Sequence, residues 1–287
     1  MKSKRNFINN NSAIGAMTKR KIELSLLMIT KNSDELLAKS LRSVEGMVDE
    51  IVIVDNYSTD RTGEIAGKYG AKIYPRRSEN LGGQKAYGLH KVKGDWVLNL
   101  DADEIVSYKL KRDIISLFRG RPTLKSHTYQ GRVKGMTGYY IPFQNHFLGR
   151  TLNYGGENYK MLRLFKKDAV KIDPVLLHER FELKRGSAGR LGGKIYHYSY
   201  RSLRQMFGKF TDYAIREFKQ KSRKGEKGGL KKILLYPPHM FLARFVKDKG
   251  YRDGLIRIPL DIGFAYMEYL TYFLLTFYEP KKLKIKN

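Results

Sequence analysis

Apolar and polar positions fall into short blocks over the first hundred residues. Ile22–Ile29 is a mostly apolar run of strand length, and Ser33–Glu45 follows with helical spacing, Ser33 or Asp34 serving as its cap. Glu50–Val54 is rich in β-branched residues, ends at Asp55 and closes a β-α-β unit. The alternation continues with Asp60–Tyr69 as a helix, Ala71–Tyr74 as a strand, Gly82–Val92 as a helix and Trp96–Leu100 as a strand. Such alternation predicts an α/β, Rossmann-like, mostly parallel sheet with helices on both faces.

Further along, Lys109–Arg119 has a helical pattern, while Tyr139–Asn145 and Tyr159–Phe165 read as strands. After residue 200 the pattern predicts a C-terminal helical extension, broken at the Lys- and Gly-rich stretch Lys221–Gly229. Leu255–Tyr278 is rich in aromatic and aliphatic residues but interrupted by Arg257, Asp261 and Glu268. It therefore reads as an amphipathic helix that packs on the protein or lies at a bilayer surface, rather than as a span.

Charge divides the chain. Of 56 Lys and Arg and 28 Asp and Glu, residues 1–104 hold 17 and 14, which leaves 39 against 14 downstream. The basic part favours polyanionic partners, whether nucleic acid, anionic headgroups or a phosphorylated glycolipid. The polar lead, residues 1–20, has no apolar core of signal-peptide length and reads as loosely attached. The chain has no cysteine, which removes any disulfide framework.

Ligands of open parallel sheets bind beyond the carboxyl ends of the strands, so the polar tips carry the chemistry. They are Thr30-Lys31-Asn32, Asp55-Asn56-Tyr57-Ser58-Thr59-Asp60 and Asp101-Ala102-Asp103-Glu104. Two carboxylates at i and i+2 on an extended chain can project into one cleft and hold a hard divalent cation together with a diphosphate. Capping of a strand-to-helix turn is the structural alternative. Arg163, set among Met161, Leu162, Leu164 and Phe165, should point into a polar site and bind substrate, since a diphosphate or a catalytic carboxylate would offset its desolvation; a place on an edge strand is the structural alternative.

The segments Leu-Met-Ile-Thr-Lys-Asn, Ile-Val-Asp-Asn-x-Ser-x-Asp, Asn-x-Gly-x-x-x-Ala-x-Gly-x-x-x-x-x-Gly-Asp-Trp and Asp-Ala-Asp-Glu occur in order across residues 22–104. Together they resemble the inverting family 2 glycosyltransferases of GT-A fold. Where that family usually has Arg-Asn within the third segment, this chain has Lys85-Ala86-Tyr87-Gly88. The resemblance implies a nucleotide-sugar donor, with Asp55 accepting from N3 of uracil and Thr30, Lys31, Asn32, Asn80 and Lys85 around the donor. It implies Asp101 near the ribose or metal, and Asp103 as a ligand of Mg²⁺ or Mn²⁺. Residues 21–200 would form the catalytic domain, 21–104 binding the donor and 105–200 the acceptor, and residues 201–287 a basic extension at the membrane.

An inverting transfer needs a carboxylate base for the acceptor hydroxyl. Glu179, at the end of Val175-Leu176-Leu177-His178-Glu179-Arg180, is the candidate, with Glu157 and Asp173 as fallbacks, and neutral His178 could complete the metal shell. A structural role, with His178 bonded to a carbonyl and Glu179 paired to Arg180, fits the same residues. His197 is a core or site histidine. Past the donor half, Arg163-Leu164-Phe165, His178-Glu179, His197-Tyr198-Ser199-Tyr200 and Gly250-Tyr251-Arg252-Asp253-Gly254 resemble the lipopolysaccharide core β-1,4-glucosyltransferases of the WaaE/KdtX type. That subgroup implies UDP-glucose as donor, an anionic inner-core glycolipid as acceptor, and a cytoplasmic, peripheral place at the inner face of the bacterial plasma membrane. Another cell-envelope polysaccharide, or a polyprenyl-phosphate, is the alternative acceptor. A basic nucleic-acid-binding protein is the rival class, but the basic residues concentrate away from the carboxylate-tipped sheet and no nucleic-acid-binding motif appears, so no nucleic acid is expected; a peripheral membrane module without activity would leave Asp55, Asp101 and Asp103 unexplained.

Overall fold

A computed structural model describes residues 23–78, 80–119, 135–172 and 181–278. The polar lead lies outside them.

The first half is built as the block pattern predicts. Strand β1 (Leu24–Thr30) is apolar and buried on both faces, as a central parallel strand must be. It is followed by α1 (Asp34–Val44), β2 (Glu50–Asp55), α2 (Thr62–Lys68), β3 (Lys72–Pro75), α3 (Leu81–Lys91) and β4 (Trp96–Asn99). These four strands are all parallel, in the order β3-β2-β1-β4. On one face, α1 buries Leu37, Leu41 and Val44 against Leu26, Met28 and Ile53. On the other, α3 lies over Leu27 and Val52. Gly88 is required there, since a Cβ would stand 2.4 Å from the Leu27 side chain.

Beyond β4 the sheet continues with β5 (Glu104–Val106), α4 (Tyr108–Arg119), β6 (Met136–Phe147), β7 (Arg150–Thr151), β8 (Lys160–Lys166), β9 (Val170–Ile172), β10 (Phe181–Leu183), β11 (Ser187–Arg190) and β12 (Ile195–Tyr200). β8 runs antiparallel to β4, β6 antiparallel to β8, and β12 parallel to β6, which extends the order to β3-β2-β1-β4-β8-β6-β12-β5. The sheet is therefore mixed, with a parallel half, β3-β2-β1-β4, and a second half in which β8 runs antiparallel to both β4 and β6. β5 is the far edge, antiparallel to β12, with His197 opposite Glu104. β11 and β7 attach to β6, and β9 and β10 form a separate hairpin.

The C-terminal extension is α5 (Leu203–Arg223), α6 (Leu230–Leu242) and α7 (Arg257–Phe277). The expected break falls between α5 and α6. α5 presents Met206, Phe210, Ala214 and Phe218 at four-residue spacing, and the first two join Phe147, Leu152 and Leu260 in a core of their own. α7 packs on the protein, burying Arg257, Leu260, Asp261, Gly263, Thr271, Tyr272 and Leu274. Its buried charges are matched, because Arg257 donates to Asp261 at 2.9 Å and to Glu157 at 3.1 Å, and Arg244 reaches Glu157 at 2.5 Å. That cluster bolts the loop before β8 to the helices. No helix among the described residues is long and apolar enough to cross a membrane.

Candidate functional site

A cleft of about 740 Å³ opens over the carboxyl ends of β1, β2 and β4 and is closed on the far side by β12, α5 and α7. All three polar tips converge at this end of the sheet.

At the β2 tip, Asp55 is buried and its carboxylate accepts from the Thr30 hydroxyl at 2.7 Å, the Ser58 amide at 2.8 Å and the Ser58 hydroxyl at 2.6 Å. Asn32, held at φ 47, donates its amide to Ser58 and accepts from the Thr59 amide, which ties the first two tips into one wall. Asp60 accepts from the amides of Thr62 and Asp34, the first residues of α2 and α1. Thr30, Lys31 and Asn32 line the cleft. Asn80 caps α3, accepting from the Gly83 amide at 2.9 Å, and Ser78 and Leu81 beside it reach the cleft.

The acidic tip is the electrostatic centre. The chain turns tightly after β4, with the Glu104 amide donating to the Asp101 carbonyl and the Asp101 amide to the Glu104 carboxylate. The Asp103 carbonyl accepts from the Tyr198 amide, which pins that residue's backbone to β12. Lys85 lies 3.1 Å from Asp101, so α3 supplies a cation in this part of the cleft although its local sequence departs from the usual pair. Arg163 on β8 is buried and donates to Asn99 at 3.0 Å, Asp101 at 3.2 Å and Glu104 at 2.5 Å, with Phe143 under its guanidinium. It points into a polar site, not to a sheet edge.

Burial opposes ionisation of Asp101, but the charges of Lys85 and Arg163 outweigh it and hold its carboxyl below the ordinary range. Asp103 is likewise held low, burial being overcome by His197 and Lys209. Glu104 behaves oppositely: its desolvation dominates, and even with Arg163 beside it burial pushes it up to about 7. Two carboxylates stay charged at the cleft while the third is kept inside.

Asp103 has 26% of its side chain exposed, and it sits between His197 Nε2 at 3.6 Å and Lys209 Nζ at 3.2 Å. The histidine is oriented from behind. Asn145 donates to Glu157 at 2.6 Å, so its oxygen faces His197 Nδ1 at 3.0 Å and accepts the proton there. Nε2 then lies between the Ser199 hydroxyl at 2.8 Å and Asp103. Glu157, a fallback base, is held within the Arg244 and Arg257 cluster and is buried. Glu179, His178 and Asp173 lie outside the described residues.

Asp101 and Asp103 fit a divalent cation held through one or two carboxylates and phosphate oxygens, which is the habit of Mg²⁺. Among the described residues no cluster of three or more acidic, His or Cys ligands forms an all-protein cage. Lys209, Asn145 and Asn99 escaped the reading of the sequence. For Lys209 a signal existed, because it flanks the buried row of α5 three residues after Met206.

Residues 25–171 match the family described as Glycosyl transferase family 2. A glycosyltransferase of Rickettsia prowazekii (strain Madrid E) is 30% identical over 257 residues, covering 86% of this chain and 85% of that one. The lipopolysaccharide core biosynthesis glycosyltransferase LpsC of Rhizobium meliloti (strain 1021) is 24% identical over 244 residues, covering 82% of this chain and 85% of that one. Among solved structures, S. aureus TarS 1–349 in complex with UDP aligns with a TM-score of 0.45 at 14% identity, covering 90% of this chain and 93% of that one.

Proposed function

The chain belongs to glycosyl transferase family 2 and is a glycosyltransferase, and from that premise we propose that it moves glucose from UDP-glucose, with inversion, to an anionic membrane glycolipid of the lipopolysaccharide inner-core type. The observation that carries the donor half is the pair Asp101 and Asp103, both held ionised at the mouth of the cleft. The similarity to LpsC supports the acceptor half.

In this reading Asp55 accepts from the uracil N3–H through a lone pair its three protein donors leave unused, since a carboxylate offers about four. Thr30, Lys31, Asn32, Asn80 and Lys85 surround the nucleotide. Asp101 and Asp103, with His178, would hold Mg²⁺ or Mn²⁺, which when bound neutralises the departing diphosphate. Glu179 takes the proton of the acceptor hydroxyl as the acceptor oxygen bonds to the anomeric carbon and the bond from that carbon to the diphosphate oxygen breaks. Arg163 and Lys209 hold the two cleft carboxylates in place. Residues 21–104 serve the donor, 105–200 the acceptor, and the basic residues 201–287 the membrane, at the inner face of the plasma membrane.

A panel of nucleotide sugars, assayed for released nucleotide without acceptor, tests the donor. UDP-glucose with Mn²⁺ should be turned over fastest, and chelator should stop the reaction. Faster release from a guanosine or cytidine donor would overturn the uridine assignment.

A further inference from the structure

We propose that α6 and the turn after it form the surface by which the protein docks, lying in plane, on an anionic phospholipid bilayer. The inference deepens the proposed function and rests on its membrane acceptor.

α6 contains no buried residue. Its leucines are instead open to solvent: Leu230 at 65%, Leu234 at 69%, Leu235 at 53% and Leu242 at 55%, followed by Val246 at 54%. At about 100° per residue these leucines and Pro238 occupy roughly half of the helix circumference. A single π-type turn at Ala243–Lys247 brings Val246 back toward the same side. The opposite side is occupied, since Tyr236 meets Tyr272 of α7 edge-on at 4.8 Å and Arg244 lies 3.6 Å over Phe264. Exposed Tyr251 and Leu255 follow in the chain. A row of apolar side chains this open needs an occupant.

Charge selects which occupant. Residues 221–252 carry ten Lys and Arg against Glu226 and Asp248, and Lys231, Lys247, Lys249 and Arg252 are exposed on or beside the apolar row. A second copy would bring the same basic half against itself, whereas an anionic leaflet attracts it. Apolar residues flanked by lysine are the composition of a helix lying in the interface.

The helix is also shaped for the interface rather than the hydrocarbon. Its 13 residues make only about 20 Å, against ~30 Å for a bilayer core. Pro237 and Pro238 cannot donate to the carbonyls of Ile233 and Leu234, which water and headgroups can satisfy and acyl chains cannot. α7, against which α6 packs, contributes Phe264 and Met267 to the cleft, so docking here would hold the cleft beside the leaflet that carries the acceptor.

Flotation of the full chain with phosphatidylglycerol vesicles tests this. Wild-type protein should float with phosphatidylglycerol and not with phosphatidylcholine. L234E combined with L242E should lower the bound fraction about tenfold while leaving UDP-glucose turnover without vesicles unchanged. Flotation of the double variant equal to wild type would overturn the proposal. So would a wild-type dimer in solution that the double variant turns into a monomer, since the row would then be a contact between copies. Vesicle binding without any donor turnover would sink the catalytic reading and leave the docking surface standing.

Discussion

Asp103→Asn lowers the rate of sugar transfer by about 10²–10³, a loss of roughly 3–4 kcal/mol of transition-state stabilisation. The substitution removes one of the two cleft carboxylates that would hold the proposed divalent ion, and it keeps the side chain's size. Its effect on the fold should be small, within about 1 kcal/mol, because Asp103, His197 and Lys209 are all partly exposed and their pairing is screened. Rate assays at saturating donor, with urea unfolding of the same samples, separate the two. A variant that retains wild-type turnover would remove Asp103 from the active site.

Arg163→Met acts on the fold as well as on the site. It leaves Glu104, 1% exposed, without its cation and takes one of two cations from Asp101, which should cost about 3–5 kcal/mol. The loss has a pH signature. Burial already pushes Glu104 up to about 7, and removing Arg163 pushes it further. A carboxyl whose folded pKa is raised contributes stability below its unfolded value that is lost as pH rises through the folded one. The deficit of Arg163→Met, read from urea midpoints, should therefore shrink toward pH 5 and be widest above neutrality. Adding Glu104→Gln should recover part of it by removing the unpaired charge. A pH-independent deficit, unrelieved by Glu104→Gln, would mean that lost packing on Phe143 dominates.

The wall of the cleft was legible because its residues are anomalies of pattern. Asp55, Asp101 and Asp103 end apolar strands, and Arg163 interrupts one, so each announces a polar site from its neighbours alone. Glu104 shares the acidic tip in sequence but turns inward to Arg163, a distinction made by a contact 59 residues away. The relay from Glu157 through Asn145 to His197 has the same character, since it joins the loop before β8 to β6 and β6 to β12. The antiparallel half of the sheet was hidden for another reason. β6 and β8 bury residues on both faces, so their runs look like those of parallel strands, and direction is set by the chain crossings rather than by composition. α6 was legible as a helix, but only the packing of Tyr236 and Arg244 against α7 reveals that its leucines are left outside.

In the proposed function a nucleoside diphosphate and a divalent ion share the cleft at Asp101 and Asp103. Titration calorimetry of UDP into the full chain, with Mn²⁺ or with chelator, measures it most directly. UDP should bind saturably with Mn²⁺, and at least about tenfold more weakly with chelator or in Asp103→Asn. Equal affinity under all three conditions would contradict it.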